Sequence, residues 1–237
     1  MTLMISPKKL RQILTLVVLC LTLASLAGQF STYFLGHDTL KGFVRLFDLN
    51  YENNIPTWYS SSALMLCSLL LATIAVAKKR DSAHYVFHWT ALSIIFLFLS
   101  LDEAASVHEI TIDPLKAALN AGPVLLHTWV VLGAAVVLII VVAYWRFLSD
   151  LPSPTRRLFL TAGIIYVGGA LGIELLGGWY AALYGYHNMT YAMIVTIEEF
   201  FEMQGIVVFI YALMSYMSLH LKEVRVRIGD EGSSLPS

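Results

Sequence analysis

The sequence predicts an all-α, polytopic membrane helical bundle, and three observations carry that expectation. Across 237 residues, 58% of side chains are hydrophobic and 13% are charged, about half the charged share of an ordinary soluble domain. Several apolar stretches exceed the roughly 18 residues that mark a membrane span. The remaining charges gather in the short segments between those stretches, together with the turn formers. No hydrophilic stretch is long enough to fold separately. Residues 1–221 therefore read as one six-helix transmembrane domain, and 222–237 as a cytoplasmic tail, disordered from Gly229 onward.

Six spans fit the hydropathy: Ile13–Leu35, Thr57–Ala77, Tyr85–Ala105, Val124–Trp145, Leu158–Leu183 and Tyr191–Leu219. Basic residues orient them. Lys8, Lys9, Arg11, Lys78, Lys79, Arg80, Arg146, Arg156, Arg157, Lys222, Arg225 and Arg227 fall on one side, and Lys41, Arg45 and Lys116 on the other. Twelve against three places both termini in the cytoplasm, as an even number of spans requires, and a bacterial inner membrane is the expected setting. The start also fits a signal peptide, with a basic region, an apolar core and the small-residue run Ala24-Ser25-Leu26-Ala27. Cleavage after Ala27 would leave five spans, but apolar character resumes from Phe30 to Leu35 and favours six.

Between the first two spans, residues 38–52 place Leu40, Phe43, Leu46 and Phe47 near one helical face. That pattern predicts a short helix lying in the membrane interface. Asn53-Asn54-Ile55-Pro56 then reads as a turn, with Pro56 placed to start the second span. Trp58 and Tyr59, and later Trp179, Tyr180, Tyr184, Tyr186 and Tyr191, sit where aromatic belts form. In the fifth span, Gly168 and Gly172 make a GxxxG spacing that predicts close helix packing. Cys20 and Cys67 lie inside apolar stretches, without loop context for a disulfide or the spacing of a redox or metal pair.

Acidic residues inside the spans are the main functional signal. Asp102 and Glu103 fall near the outer end of the third span, Glu174 in the outer half of the fifth, and Glu198, Glu199 and Glu202 in the sixth. No Lys or Arg lies at that depth. A charged carboxylate near a helix centre costs roughly 2.5–3.5 kcal/mol on insertion scales. Six unpartnered charges would cost on the order of 10 kcal/mol, comparable to a whole domain's stability. Protons, a wet cavity or a shared cation must therefore neutralise them.

Helical geometry groups these acids. At about 100° per residue, Glu198, Glu202 and Glu199 fall near 0°, 40° and 100°, on one face. Asp102, Ser106, Glu103 and Glu109 fall near 0°, 40°, 100° and 340°, again on one side, while His108 points away near 240°. His127 opens the fourth span and supplies the metal-ligand or proton-carrier candidate. Ser61, among three serines opening the second span, is a supporting candidate with Ser106 and Glu109. His84 and His88 belong to the inner end of the third span, away from this group. Leu101–His108 also parallels Ile197–Gln204 in its order of apolar, acidic and polar residues. A three-plus-three inverted duplication would produce that match, and over eight positions chance does so equally well.

Several chemistries are excluded. His108-Glu109 is not followed by the second His of a zinc-protease helix, and no Glu-x-x-His pair of a di-iron bundle is present. A Ser on an early span and an Asp on the next are loosely similar to membrane hydrolases of the alkaline ceramidase and adiponectin receptor type. The histidine cluster of their late spans is missing here, so their chemistry does not carry over. No Walker loop, dinucleotide fingerprint or nucleophile elbow occurs, and nothing points to nucleic acid.

The expected function is a cation- or metal-binding site in the outer half of the bilayer, built from Glu174, Glu198, Glu199, Glu202, Asp102, Glu103 and His127. Oxygen-rich ligands with one His suit a divalent Fe, Mn or Mg. An open coordination position would activate water or oxygen towards a lipid-like small molecule, with membrane lipids as the natural partners. Two other classes stay open: a proton- or cation-coupled small transporter, and an accessory subunit of a larger membrane complex. Whether the protein is an enzyme is not decided by the sequence.

Overall fold

The computed structural model describes residues 6–37, 39, 42–118 and 127–221. It is 87% helix, with no strand among the described residues. In chain order the helices are α1 (Pro7–Leu35), α2 (Phe43–Phe47), α3 (Ile55–Arg80), α4 (Val86–Ala105), a 3-10 turn (His108–Thr111), α5 (Ile112–Ala118), α6 (Trp129–Asp150), α7 (Ser153–Val167), a π-helical turn (Gly168–Ile173), α8 (Glu174–Tyr184) and α9 (Met189–His220). Helix starts follow local chemistry. The Asn54 side chain accepts from the Thr57 N–H to cap α3, and Asn188 does the same for α9 through Tyr191. Gly36, at φ 70°, closes α1 in the left-handed conformation that suits glycine.

Five segments are long and apolar enough to cross a membrane: α1, α3, α4, α6 and the continuous rod Ser153–Tyr184 formed by α7, the π turn and α8. The expected sixth span, α9, is a 32-residue helix packed against α1, α3 and α7. It is enclosed by its neighbours, with Met203, Ala212 and Leu213 fully buried, which is how a helix with three glutamates in one stretch is kept from lipid. The fourth expected span begins later than its apolar run suggests, at Trp129, and residues 119–126 fall outside the described part of the chain. The tail 222–237 does so too. α1 runs unbroken through Ala24–Ala27.

Two packing expectations change. The interfacial helix predicted over 38–52 spans Phe43–Phe47 alone among the described residues, with Leu40 and Lys41 outside them. Val44 turns inward against Gly28 and Phe47 packs partly against the α1–α9 core, while Phe43 and Leu46 of the expected apolar face are exposed. Its loop is held by polar contacts: Gln29 donates to Asp48 at 2.6 Å, and the Leu49 N–H donates to Ser25 Oγ at 3.1 Å. In the rod, Gly168 and Gly172 face open space. The wider π turn rotates the helix face and presents Gly169 instead, whose missing Cβ would lie 3.0 Å from the Glu198 carbonyl oxygen. Closest approach comes at Gly205 of α9, where a Cβ would stand 2.8 Å from the Tyr166 backbone nitrogen.

α3 and α4 pack along a serine seam. Ser61 Oγ donates to the Ser100 carbonyl at 2.7 Å, and Ser100 Oγ returns the bond to the Ser61 carbonyl at 2.8 Å. Ser68 and Ser93 repeat the exchange at 2.8 and 2.9 Å. The two pairs sit seven residues apart on each helix, the spacing that keeps one face on a partner. Below them, Trp89, Phe147, Phe159 and Tyr216 form an aromatic core at the end where Lys78–Arg80 terminate α3.

Candidate functional site

Each acidic residue singled out in the sequence lines one cavity of about 1650 Å³ between α4, α6, α7 and α9. Asp102 and Glu103 enter from the last turn of α4, Glu174 from the start of α8, and Glu198, Glu199 and Glu202 from two turns of α9; His127 lines it from just before α6. Glu109 joins them. Ser61 is not part of this lining, because its hydroxyl is committed to the α3–α4 seam. Ser106 likewise stands aside. It ends α4 in a left-handed conformation, φ 50°, and turns the chain into the 3-10 segment.

That break overturns the placement of His108. A continued helix would aim it away from Asp102, but the chain reverses at Ser106. The His108 N–H donates to Asp102 Oδ1 at 2.7 Å, and its ring Nδ1 lies 3.2 Å from Oδ2. Burial alone would pull the imidazole's pKa down, but the hydrogen bond and charge of Asp102 outweigh it and hold it above the ordinary histidine value. The ring also tilts over Trp129, with centroids 4.8 Å apart.

His108 in turn sits with Glu52 and Glu109. One ligand atom from each lies within 4.8 Å of the others, the sole such trio of His, Cys, Asp or Glu among the described residues. Burial, then the charge of Glu109, raises the Glu52 carboxyl above its usual range, and the nearby His108 only partly offsets this. With Nδ1 engaged by Asp102, Nε2 is the nitrogen left to ligate. That is the carboxylate–histidine–metal arrangement by which proteins orient a ligand ring. Glu52 was missed in the sequence, although it directly precedes the Asn53–Asn54 turn on the acidic side of the bundle.

A second constellation lies deeper. His127 Nδ1 stands 2.5 Å from Glu174 Oε1. The approach is off the ring's N–H axis, so the contact is ionic and not a linear hydrogen bond. Burial lowers the His127 pKa, and contact with Glu174 more than reverses that, leaving it raised. Trp129 Nε1 donates to the same Glu174 oxygen at 3.3 Å. The Glu198 carboxyl, in a residue only 6% exposed, is within hydrogen-bonding reach of Glu174. Gly178 makes room for the His127 ring, 3.2 Å from its absent Cβ, and Gly177 does so for Glu198. Glu199, Glu202 and Glu103 lie near Tyr166, a lining residue that the sequence did not single out.

Beyond the acids the cavity turns apolar. Leu92 and Phe96 of α4, Ile140 of α6, Gly163 of α7 and Phe209 of α9 line it, and Phe96 stacks on Phe209 at 4.7 Å. Ile94 and Phe98 of α4 and Val136 of α6 line the cavity and are also exposed, so it opens sideways between these helices.

A family model described as "Domain of unknown function (DUF8692)" matches residues 13–217. No curated protein and no solved structure matches the chain.

Proposed function

This chain belongs to the DUF8692 family, and we propose that it is a multi-pass membrane protein binding a divalent cation beside a cavity for a lipid-like molecule. One observation carries the reading: carboxylates and histidines from four separate parts of the chain line one end of a cavity whose other end is apolar. The ligand set is Glu52, His108 and Glu109, with Asp102 orienting the imidazole. Two carboxylates and one nitrogen suit Fe, Mn or Mg better than a softer metal. Three protein ligands also leave coordination positions open, through which a metal supplies Lewis-acid activation of water or of a substrate oxygen. Glu174, Glu198, Glu199 and Glu202 form the neighbouring carboxylate layer facing the bound molecule. In this reading the basic ends of the helices and both termini lie on the cytoplasmic side of a bacterial inner membrane, and the acidic end lies in the outer half of the bilayer.

Elemental analysis of the full chain, purified without chelator, tests this. The expected result is about one divalent metal per chain, lost in His108→Ala and in Glu52→Gln. Less than about a tenth of a metal per chain at full folding contradicts it. A proton- or cation-coupled transporter is the second reading, supported by the His127–Glu174–Glu198 contacts that step from the loop before α6 into the deep layer. It predicts proton-linked uptake in liposomes that Glu198→Gln abolishes, and equal uptake by wild type and variant removes it.

A further inference from the structure

The cavity's charge is not balanced even after the proposed metal is seated. Glu52 and Glu109 would ligate it, Asp102 is engaged by His108, and Glu174 by His127. Glu103, Glu198, Glu199 and Glu202 then line the same space, and among the described residues no Lys or Arg pairs with them. Among the described residues Lys116 is the one Lys or Arg in the lining, and it comes from α5. Glu198 is almost wholly buried and lines the cavity, with the like-charged Glu174 carboxyl beside it. Such groups require either protons or a cation.

The shape of the space selects among cations. A bare metal ion needs no apolar annex, yet the cavity follows α6 from Gly133 to Phe147, about 21 Å of helix. That exceeds one leaflet's share of a hydrocarbon core roughly 30 Å thick. The walls there are Phe96, Ile140 and Phe209, and the side opening is framed by the exposed apolar side chains Ile94, Phe98 and Val136, in the middle of helices long and apolar enough to cross a membrane. At the acidic end, Tyr166 and Tyr191 add aromatic surface beside the carboxylates, the combination that recognises an ammonium group. A phosphate or carboxylate headgroup would meet repulsion from four glutamates.

We infer that the lipid-like ligand of this cavity is a long-chain amphiphile with a cationic amine headgroup, seated with its nitrogen among Glu103, Glu199 and Glu202 and its chain along α6. The ligand enters sideways between α4 and α6. This rests on the reading of the cavity as a ligand site, and it is separable from the metal centre at Glu52, His108 and Glu109.

The test is native mass spectrometry of the full chain in a neutral detergent, offered octadecylamine, octadecanol and octadecyl phosphate at equal concentration. Octadecylamine should be retained at least about tenfold better than either competitor, and Glu202→Gln should remove about that factor. A second variant probes the chain: Gly163 faces open cavity space, so Gly163→Leu fills the trough without a clash. It should reduce retention of all three compounds while leaving metal content unchanged. Equal retention of the three compounds, or retention of the amine unaffected by both variants, overturns the inference. Metal analysis of the same samples separates the two readings. Amine selectivity without metal removes the metal centre alone, and metal without amine selectivity removes this inference alone.

Discussion

The two faces of α4 handle polar groups in opposite ways. Towards α3, each seam serine donates its hydroxyl to the backbone carbonyl of the serine facing it, Ser61 with Ser100 and Ser68 with Ser93, in closed exchanges. Towards α6, the same helix delivers Asp102 and Glu103 to a cavity where acids outnumber the groups able to neutralise them. Within a bilayer an unsatisfied polar group is costly, so a fully paired seam is what packing alone produces. The cavity departs from that rule, and the departure supports the proposed reading of it as a binding site. Helix contacts follow the same division. α3 packs closely on α4 and α9, and α7 on α9, while α6 meets the bundle at its two ends, through the π turn and the 3-10 segment and through Tyr144 and Phe147 in the aromatic core, and leaves the cavity open between them.

Disrupting the packed side should have the largest effect. Gly205→Leu drives a side chain into the Tyr166 backbone and should destabilise the chain by about 3 kcal/mol or more, read as loss of folded material in a detergent melt. Gly172→Leu, which meets nothing, should leave the melt unchanged. On the cavity side the opposite pattern is expected. Glu199→Gln removes a carboxylate with no Lys or Arg partner among the described residues, so thermal stability should hold or rise while octadecylamine binding falls by about tenfold and metal content is unchanged. In the seam, Ser68→Ala removes the bond its hydroxyl donates to the Ser93 carbonyl, while Ser93 Oγ keeps its backbone acceptor, and should cost about 0.6 kcal/mol, with no change in metal content; Ser68→Ala with Ser93→Ala removes both bonds and should cost about twice that.

The smallest effect is expected at Asp48, outside the spans. Burial raises its carboxyl above the usual range, against the lowering pull of bonds from the Asn50 N–H and Gln29. Its folded-state value therefore exceeds its unfolded one, and stability falls as pH rises through that raised value. Asp48→Asn keeps an oxygen to accept both bonds and removes the charge. A slight gain in melting temperature is expected at pH 7 and none at pH 4.

Much of this was legible in the sequence because bilayer physics leaves few options. Apolar run length indicated helices at α1, α3, α4, α6 and Ser153–Tyr184, and the acids stood out because lipid tolerates them poorly. What escaped was where helices stop. The reasoning that set His108 aside assumed a helix continuing past Ala105; one left-handed residue, Ser106, reversed that. The same break gives Leu101–His108 a helix end where Ile197–Gln204 is mid-helix, so the matched octets have different backbones. Glu52 escaped for a related reason, since contacts between loops have no periodicity to read. The glycines show the third limit: a π turn shifts which residue faces α9, and spacing alone pointed to Gly168 and Gly172 in place of Gly169.

The central claim, a cation held by Glu52, His108 and Glu109, is tested most directly by pulsed electron paramagnetic resonance of the full chain loaded with Mn²⁺. A nitrogen coupling from one imidazole is expected in the wild type and should vanish in His108→Ala while persisting in His127→Ala. Bound manganese without nitrogen coupling, or coupling that follows His127 instead, would contradict the account.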